Sequence, residues 1–308
     1  MTRAFVFPGQ GAQVIGMGKA LSDAYPVAKA VYDEVDEALG EKLSAMIWDG
    51  DIAELTRTQN AQPALMATSL AVMRALETEG VTLSSASYVA GHSLGEYSAL
   101  AAAGSLGIAD AARLLRTRGI AMQEAVSEGQ GAMVAVLGLD LDTVRRIAAD
   151  AAADEVCTIA NDNDPAQVVL SGHMSAIERA AEMARAEGAK RAIILPVSAP
   201  FHCALMEPAT QKMAIALERL DISAPAVPLI SNVLAQPVTD PTTIRALLLE
   251  QIKGSVRWRE SVLKMTELGV TEIWEIGVGK ALTGMIRRID RSIETRAIIE
   301  PDQVAAAI

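Results

Sequence analysis

The chain is 308 residues long, 51% hydrophobic and 21% charged, with a formal net charge of −11. That length and balance describe a globular protein with one large core, or one core plus an insert. The acidic excess argues against general nucleic-acid binding, and no apolar run reaches the roughly 18 to 20 residues that a membrane span requires.

The N-terminal stretch "MTRAFVFPGQG" is broken by Pro and Gly too early for a signal peptide. The two cysteines, Cys157 and Cys203, offer neither a disulfide framework nor a metal-ligand spacing. A cytoplasmic protein without a metal is the default expectation. Arg3 to Phe7 reads as a buried strand that runs into a Gly-rich loop. Helices follow, with Pro26 and Pro63 placed near helix starts, where a missing N–H costs nothing. "QPALMATSLAVMRALETEG" (62–80) is a long apolar helix stopped by Gly80. "ASYVAG" (86–91) is a short strand, and "LGEYSALAAAG" (94–104) is a helix closed by Gly104. Strands that are apolar throughout and alternate with helices predict a parallel sheet covered on both faces.

The helix "IADAARLLRTRGIAMQEAV" (108–126) has an apolar stripe of Ala111, Leu114, Leu115, Met122 and Ala125. Arg118 falls on that stripe, whereas Arg113 and Arg116 lie off it. A buried guanidinium must meet an anion, either an internal carboxylate or one brought by a substrate. Residues 131–196 then change rhythm. "AMVAVLGL", "LDTVRRIAADAAA", "VCTIAN", "AQVVLSG", "SAIERAAEMARAEG" and "RAIILPV" read as βαββαβ, the order of a ferredoxin-like unit. This predicts a small subdomain over 129–197, inserted into a larger unit of 1–128 and 198–308. The larger unit resumes with a helix from Ala204 to Leu220, a strand "VPLISN", further helices and a strand "TEIWEIG".

The chemistry concentrates in "VAGHSLGEYSAL" (89–100), where strand, Gly91-His92-Ser93-Leu94-Gly95 and helix follow one another. That is the pattern of a nucleophile elbow in an α/β-hydrolase-like core. The glycines allow close backbone approach, and the turn lifts the Ser93 hydroxyl clear of the sheet. The amide of Leu94 and the helix N-terminus then face whatever is bonded to Ser93. Of the three histidines, His92 adjoins the nucleophile and must point away, and His173 sits in a turn of the insert. His202, in a loop of the larger unit, is the candidate base. "FPGQG" after the first strand supplies the amide of Gln10 as a second oxyanion donor. The Gly-rich stretches are not nucleotide fingerprints: Val14 and Leu282 break G-x-G-x-x-G, and Ala281 breaks the P-loop.

Nearly end to end, the chain resembles the malonyl-CoA:acyl carrier protein transacylases of bacterial fatty acid synthesis. The resemblance rests on "FVFPGQGAQ", "LTRTQNAQPAL", "GHSLGEYSAL", "RLLRTRGIAMQEAV", "ANDNDPAQVVLSG", "GAKRAIILPVSAPFHCALM", "LISNV" and "EIGVGKALTGMIRR". It implies Ser93 as nucleophile, His202 as base, the amides of Gln10 and Leu94 as oxyanion hole, and Arg118 as clamp on the malonyl carboxylate. It also implies that the main-chain carbonyl of Gln251 orients the histidine, and that Gln62 and Asn161 line or support the site. Malonyl-CoA and acyl carrier protein are the implied partners, with the coenzyme A thioester a substrate and no cofactor. Val278 departs from the family, which often has Pro there. A trans-acting acyltransferase of polyketide synthesis and a serine thioesterase or hydrolase are the alternatives, and a non-catalytic carrier-docking module is a third.

Overall fold

The computed structural model describes residues 2–307, in which ten strands form two sheets. They are β1 (Arg3–Phe7), β2 (Tyr88–Gly91), β3 (Gly131–Leu137), β4 (Cys157–Asp164), β5 (Gln167–His173), β6 (Arg191–Ile194), β7 (Leu229–Ile230), β8 (Pro237–Val238), β9 (Glu272–Ile276) and β10 (Glu294–Ile298). The larger sheet has the order β10-β9-β1-β2-β7-β8. Its neighbours are parallel from β10 through β7, and only β8 runs antiparallel. Strand alternation divides β1 between two cores. Phe5 and Phe7 pack with Val89, Trp274 and Ile276 on one face. Ala4 and Val6 pack with Ala90, Ile230, Ile273 and Trp258 on the other. Both faces are thus dry, which is why the strand reads as one apolar run.

Strand order reverses at β1, with β2 on one side and β9 on the other. The loops leaving the carboxyl ends of β1 and β2 open a crevice at that switch point, where α/β sheets place their ligands. "FPGQG" and "GHSLG" are those two loops.

The smaller sheet has the order β4-β5-β3-β6, antiparallel throughout, as a ferredoxin-like βαββαβ unit requires. Ala132, Val134 and Val136 pack toward the helices Leu141–Ala152 and Met174–Ala186. The alternate residues Met133 and Ala135 join the main core instead. Strand β4 fastens the small sheet to elements that flank the larger one. Arg259 donates to Asp162 at 3.0 Å, Arg288 donates to the fully buried Asp164 at 2.9 Å, and Asn161 bridges to Val256.

Some elements differ from expectation. The helix over the first core starts at Thr58 and runs to Thr78, so Pro63 lies inside it rather than at its start. "VPLISN" contributes only Leu229 and Ile230 to the sheet, and Asn232 turns toward the crevice instead. The helix expected from Ala204 opens with a 3₁₀ turn and becomes α-helical over Glu207–Glu218. Among the described residues, no helix is long and apolar enough to cross a membrane.

The elbow meets β1 closely at Gly95, where an added Cβ would overlap the carbonyl oxygen of Phe7. Gly95→Ala should therefore cost about 3 kcal/mol or more, because the obstacle is backbone and cannot rotate away. Gly107→Ala is the control, since its Cβ would meet nothing closer than Asp110 Oδ2 at 3.8 Å. Urea unfolding of both variants checks this, and equal midpoints would contradict it.

Candidate active site

Ser93 occupies the tip of the turn between β2 and the helix Gly95–Ala102, with φ at +53°. A non-glycine residue there is strained and needs external support. Asn232 supplies part of it: its Oδ1 accepts from the Ser93 amide at 2.8 Å, and its Nδ2 donates to the Gly91 carbonyl at 2.6 Å. The Ser93 carbonyl accepts from the Glu96 amide at 3.0 Å and from Gln251 Nε2 at 2.8 Å. The elbow is held from both sides of its peptide.

His202, also in the left-handed region at φ +58°, approaches Ser93 from the loop after β6. Its Nε2 lies 2.8 Å from Ser93 Oγ. Its Nδ1 lies 2.8 Å from the Gln251 carbonyl and 3.1 Å from that of Gly254. Carbonyls only accept, so Nδ1 carries the proton and Nε2 presents its lone pair to the serine hydroxyl. No carboxylate touches the ring among the described residues. Burial, and then the Arg118 charge, push the imidazole down to about 3, against the two carbonyl bonds that favour its charged form.

Arg118 is only 1% exposed and makes no ion pair among the described residues. Its Nη1 donates to Gln62 Oε1 at 2.8 Å, and its Nη2 to Gln251 Oε1 at 2.7 Å and Ser93 Oγ at 3.1 Å. Its Nε has no partner. The guanidinium carbon stands 5.4 Å from the centre of the Tyr97 ring. Of the two fates open to this arginine, direct pairing with an internal carboxylate is therefore not realised. Gln62 is oriented in turn by Thr58, whose Oγ1 accepts from Gln62 Nε2 at 3.0 Å and donates to Gln10 Oε1 at 2.8 Å.

These groups converge on a cleft of about 410 Å³. Ser93, His202, Arg118, Gln10, Leu94, Gln62 and Asn161 all line it, with an apolar wall of Met122, Met133, Leu195, Val197 and Phe201. Gln251 sits behind, fully buried. Neither the Gln10 nor the Leu94 amide donates to another protein group among the described residues. A second surface recess, about 570 Å³ and lined by Arg287, Arg291, Ile293, Glu294, Thr295 and Arg296, contains none of these groups.

The other expectations for the site divide. His92 Nε2 turns away from the serine to Asn163 Oδ1 at 2.8 Å, and His173 Nδ1 accepts from the Val156 amide at 2.9 Å. Cys203 is buried and its Sγ meets the Pro200 carbonyl at 3.1 Å. Sequence reasoning missed Thr58, Glu96, Asn232 and Gly254. Glu96 left a usable signal: it is an acid in a helix of small and apolar residues, the kind of misfit that drew attention to Arg118.

A profile of the acyl transferase domain family matches residues 4–299. The chain is similar to the malonyl CoA-acyl carrier protein transacylase of Bacillus subtilis (strain 168), with 47% identity over 307 residues, 99% of this chain and 96% of that protein. It is similar to the crystal structure of the acyl-carrier-protein-S-malonyltransferase from Bartonella henselae, with TM-score 0.98, 51% identity, and coverage of 100% and 98%. It is also similar to a malonyl-transacylase solved in complex with a type II PKS acyl-carrier protein, with TM-score 0.97, 41% identity, and coverage of 100% and 99%. With the elbow, the histidine and the buried arginine in one cleft, this chain belongs to the acyl transferase domain family, among the malonyl CoA-acyl carrier protein transacylases.

Proposed function

We propose that the protein transfers a malonyl group from malonyl-CoA to the phosphopantetheine thiol of an acyl carrier protein, through a malonyl ester on Ser93, in the cytoplasm and in fatty acid synthesis. The observation that carries this reading is Arg118: a buried cation, without a carboxylate partner, 3.1 Å from the nucleophilic oxygen. A malonyl thioester brings a carboxylate that a guanidinium grips with two hydrogen bonds.

In the first half-reaction Ser93 Oγ attacks the thioester carbonyl and its proton moves to His202 Nε2. The resulting oxyanion takes hydrogen bonds from the Gln10 and Leu94 amides. Collapse expels the coenzyme A thiolate, which leaves with the proton from His202. In the second half the carrier thiol gives its proton to His202, its sulfur attacks the ester, and Ser93 recovers its proton as it departs. The Gln251 and Gly254 carbonyls keep the imidazole in the tautomer this requires, and Gln62 fixes the clamp. Asn161 lines the cleft beside them. The coenzyme A thioester is a substrate, and no step calls for a further cofactor. Exposed Lys190 and Arg191 offer local attraction to an acidic carrier, whereas Arg288 is committed to Asp164.

A type II polyketide carrier is an equally compatible acceptor chemically, because the site reads only the acyl group and the thiol. A serine hydrolase is disfavoured by the carbonyls standing where its acid should touch His202.

Incubation with malonyl-CoA alone should leave a malonyl adduct that intact-protein mass spectrometry detects and that Ser93→Ala abolishes. An adduct that persists in Ser93→Ala would refute the nucleophile. Arg118→Ala should lose malonyl transfer by about 2 to 5 kcal/mol in kcat/KM while acetyl transfer holds or rises. An equal fall for both acyl groups would make Arg118 structural. The depressed imidazole gives a third expectation. Its lone pair stays available as pH falls through the ordinary histidine range of about 6.5. Acylation of Ser93 by p-nitrophenyl acetate, a neutral donor that leaves Arg118 out, should therefore show no acid limb between about pH 8 and pH 5. A half-maximal rate near pH 6.5 would contradict this.

A further inference from the structure

Glu96 is a buried carboxylate that the transfer steps do not use, 1% exposed in the first turn of the helix after the nucleophile. Two N–H donors meet it, with the Ser231 hydroxyl beside them. Its Oε1 accepts from the Asn232 amide at 3.0 Å, and its Oε2 accepts from Gln251 Nε2 at 2.5 Å. Those two residues in turn hold Ser93 and Arg118. Asn232 grips the Ser93 amide, Gln251 Nε2 grips the Ser93 carbonyl, and Gln251 Oε1 receives Arg118 Nη2 at 2.7 Å.

A side-chain amide such as that of Gln251 has a donor end and an acceptor end, and nothing in its own shape says which way round it lies. Its environment decides. The group facing Nε2 is a carboxylate that, ionised, only accepts, so the donor end is drawn there and the acceptor end is left toward Arg118. Reversed, the amide would set its carbonyl against Glu96 and the Ser93 carbonyl, and its N–H groups against a guanidinium that also only donates.

We propose that Glu96 is a positioning residue for acyl selection: its carboxylate sets the direction of the Gln251 side-chain amide, and through it aims the Arg118 guanidinium at the acyl group on Ser93. This rests on the reading of Arg118 as the malonyl clamp. It explains why the carboxylate is held one residue away from the cation. In direct contact it would occupy the clamp; through Gln251 it orients Arg118 and leaves Nε free. Burial raises the Glu96 carboxyl to about 7, against the two donors and the Arg118 charge that favour its ionised form.

Glu96→Gln tests the proposal, because it keeps the shape and removes only the acceptor-only character. With two donors as neighbours, a glutamine can satisfy one and must oppose the other, whichever way it turns. The reading is the ratio of kcat/KM for malonyl-CoA to that for acetyl-CoA. Glu96→Gln should lower this ratio about 10- to 100-fold, an estimate for one lost charge-assisted bond and one opposed donor pair. In an Arg118→Ala background the same change should leave the ratio within about threefold. Glu96→Asp, which keeps two acceptor oxygens, should fall between wild type and Glu96→Gln, and it supplies the comparison if Glu96→Gln does not fold. An equal loss for both acyl donors, or an unchanged ratio in Glu96→Gln and Glu96→Asp alike, would overturn the proposal. If Arg118→Ala itself leaves the ratio unchanged, the clamp reading fails instead.

Discussion

The burial of Arg118 without a carboxylate at its guanidinium is the constraint from which the site's other features follow. A cation removed from water is costly unless the surroundings replace its solvation. Here the replacement is deliberately incomplete: two amide oxygens, a serine hydroxyl and the face of Tyr97, with Nε left over. The unmet remainder is a preference for an anion at the position where an acyl chain on Ser93 would end. The same charge lowers the basicity of His202 and favours the ionised form of Glu96. A malonyl carboxylate that neutralises the guanidinium also removes part of what depresses the imidazole. On the proposed reading, the correct substrate thus strengthens the base that takes the proton of Ser93.

Holding such a site requires a scaffold that does not yield. Ser93 and His202 both sit at positive φ, so neither backbone would choose its place alone. The elbow is clamped by Asn232 and Gln251, side chains from the strand end after β7 and from the helix Pro241–Lys253. Gly95 lets that turn press against β1, and Gly91 lets it fold back onto Gly95 and Glu96; a side chain at either position would find backbone. Strand β4 adds the small sheet as a wall, fastened through Asp162, Asn163 and Asp164. The cleft is therefore bounded on each side by an element whose position is fixed elsewhere.

Much of this was legible in the amino-acid sequence, for physical reasons. Strands buried on both faces are apolar without interruption, and the βαββαβ order of the small sheet shows as a change of periodicity. Arg118 stood out because a charge on an apolar stripe contradicts its surroundings. What stayed hidden has the opposite character. Asn232 and Thr58 act by single side-chain contacts between segments far apart in the chain, and polar residues in loops or at helix ends are common enough to carry no signal. Gly254 contributes only a carbonyl, which every residue possesses. The strand "VPLISN" reads as six apolar-rich residues, yet its last part is bent away from the sheet by the role of Asn232 in the elbow. Pro63 suggested a helix start, but tertiary packing extended the helix back to Thr58, whose hydroxyl the site employs.

The histidine environment also bears on why such a site would transfer an acyl group rather than hydrolyse it. A base held by two neutral carbonyls lacks the carboxylate that would stabilise its imidazolium, so it remains weak. A weak base suffices for a thiol, which ionises near pKa 8.5, but is poorly matched to water near 15.7. The gap between the two nucleophiles is about 7 pKa units, and lowering the basicity of His202 penalises the harder deprotonation more as proton transfer in the transition state becomes more advanced. The apolar wall of Met122, Met133, Leu195, Val197 and Phe201 acts in the same direction by limiting the water near the ester. An acid beside His202 would speed both reactions and erode the difference between them. The absence of one from the ring is thus consistent with an ester on Ser93 that waits for a thiol.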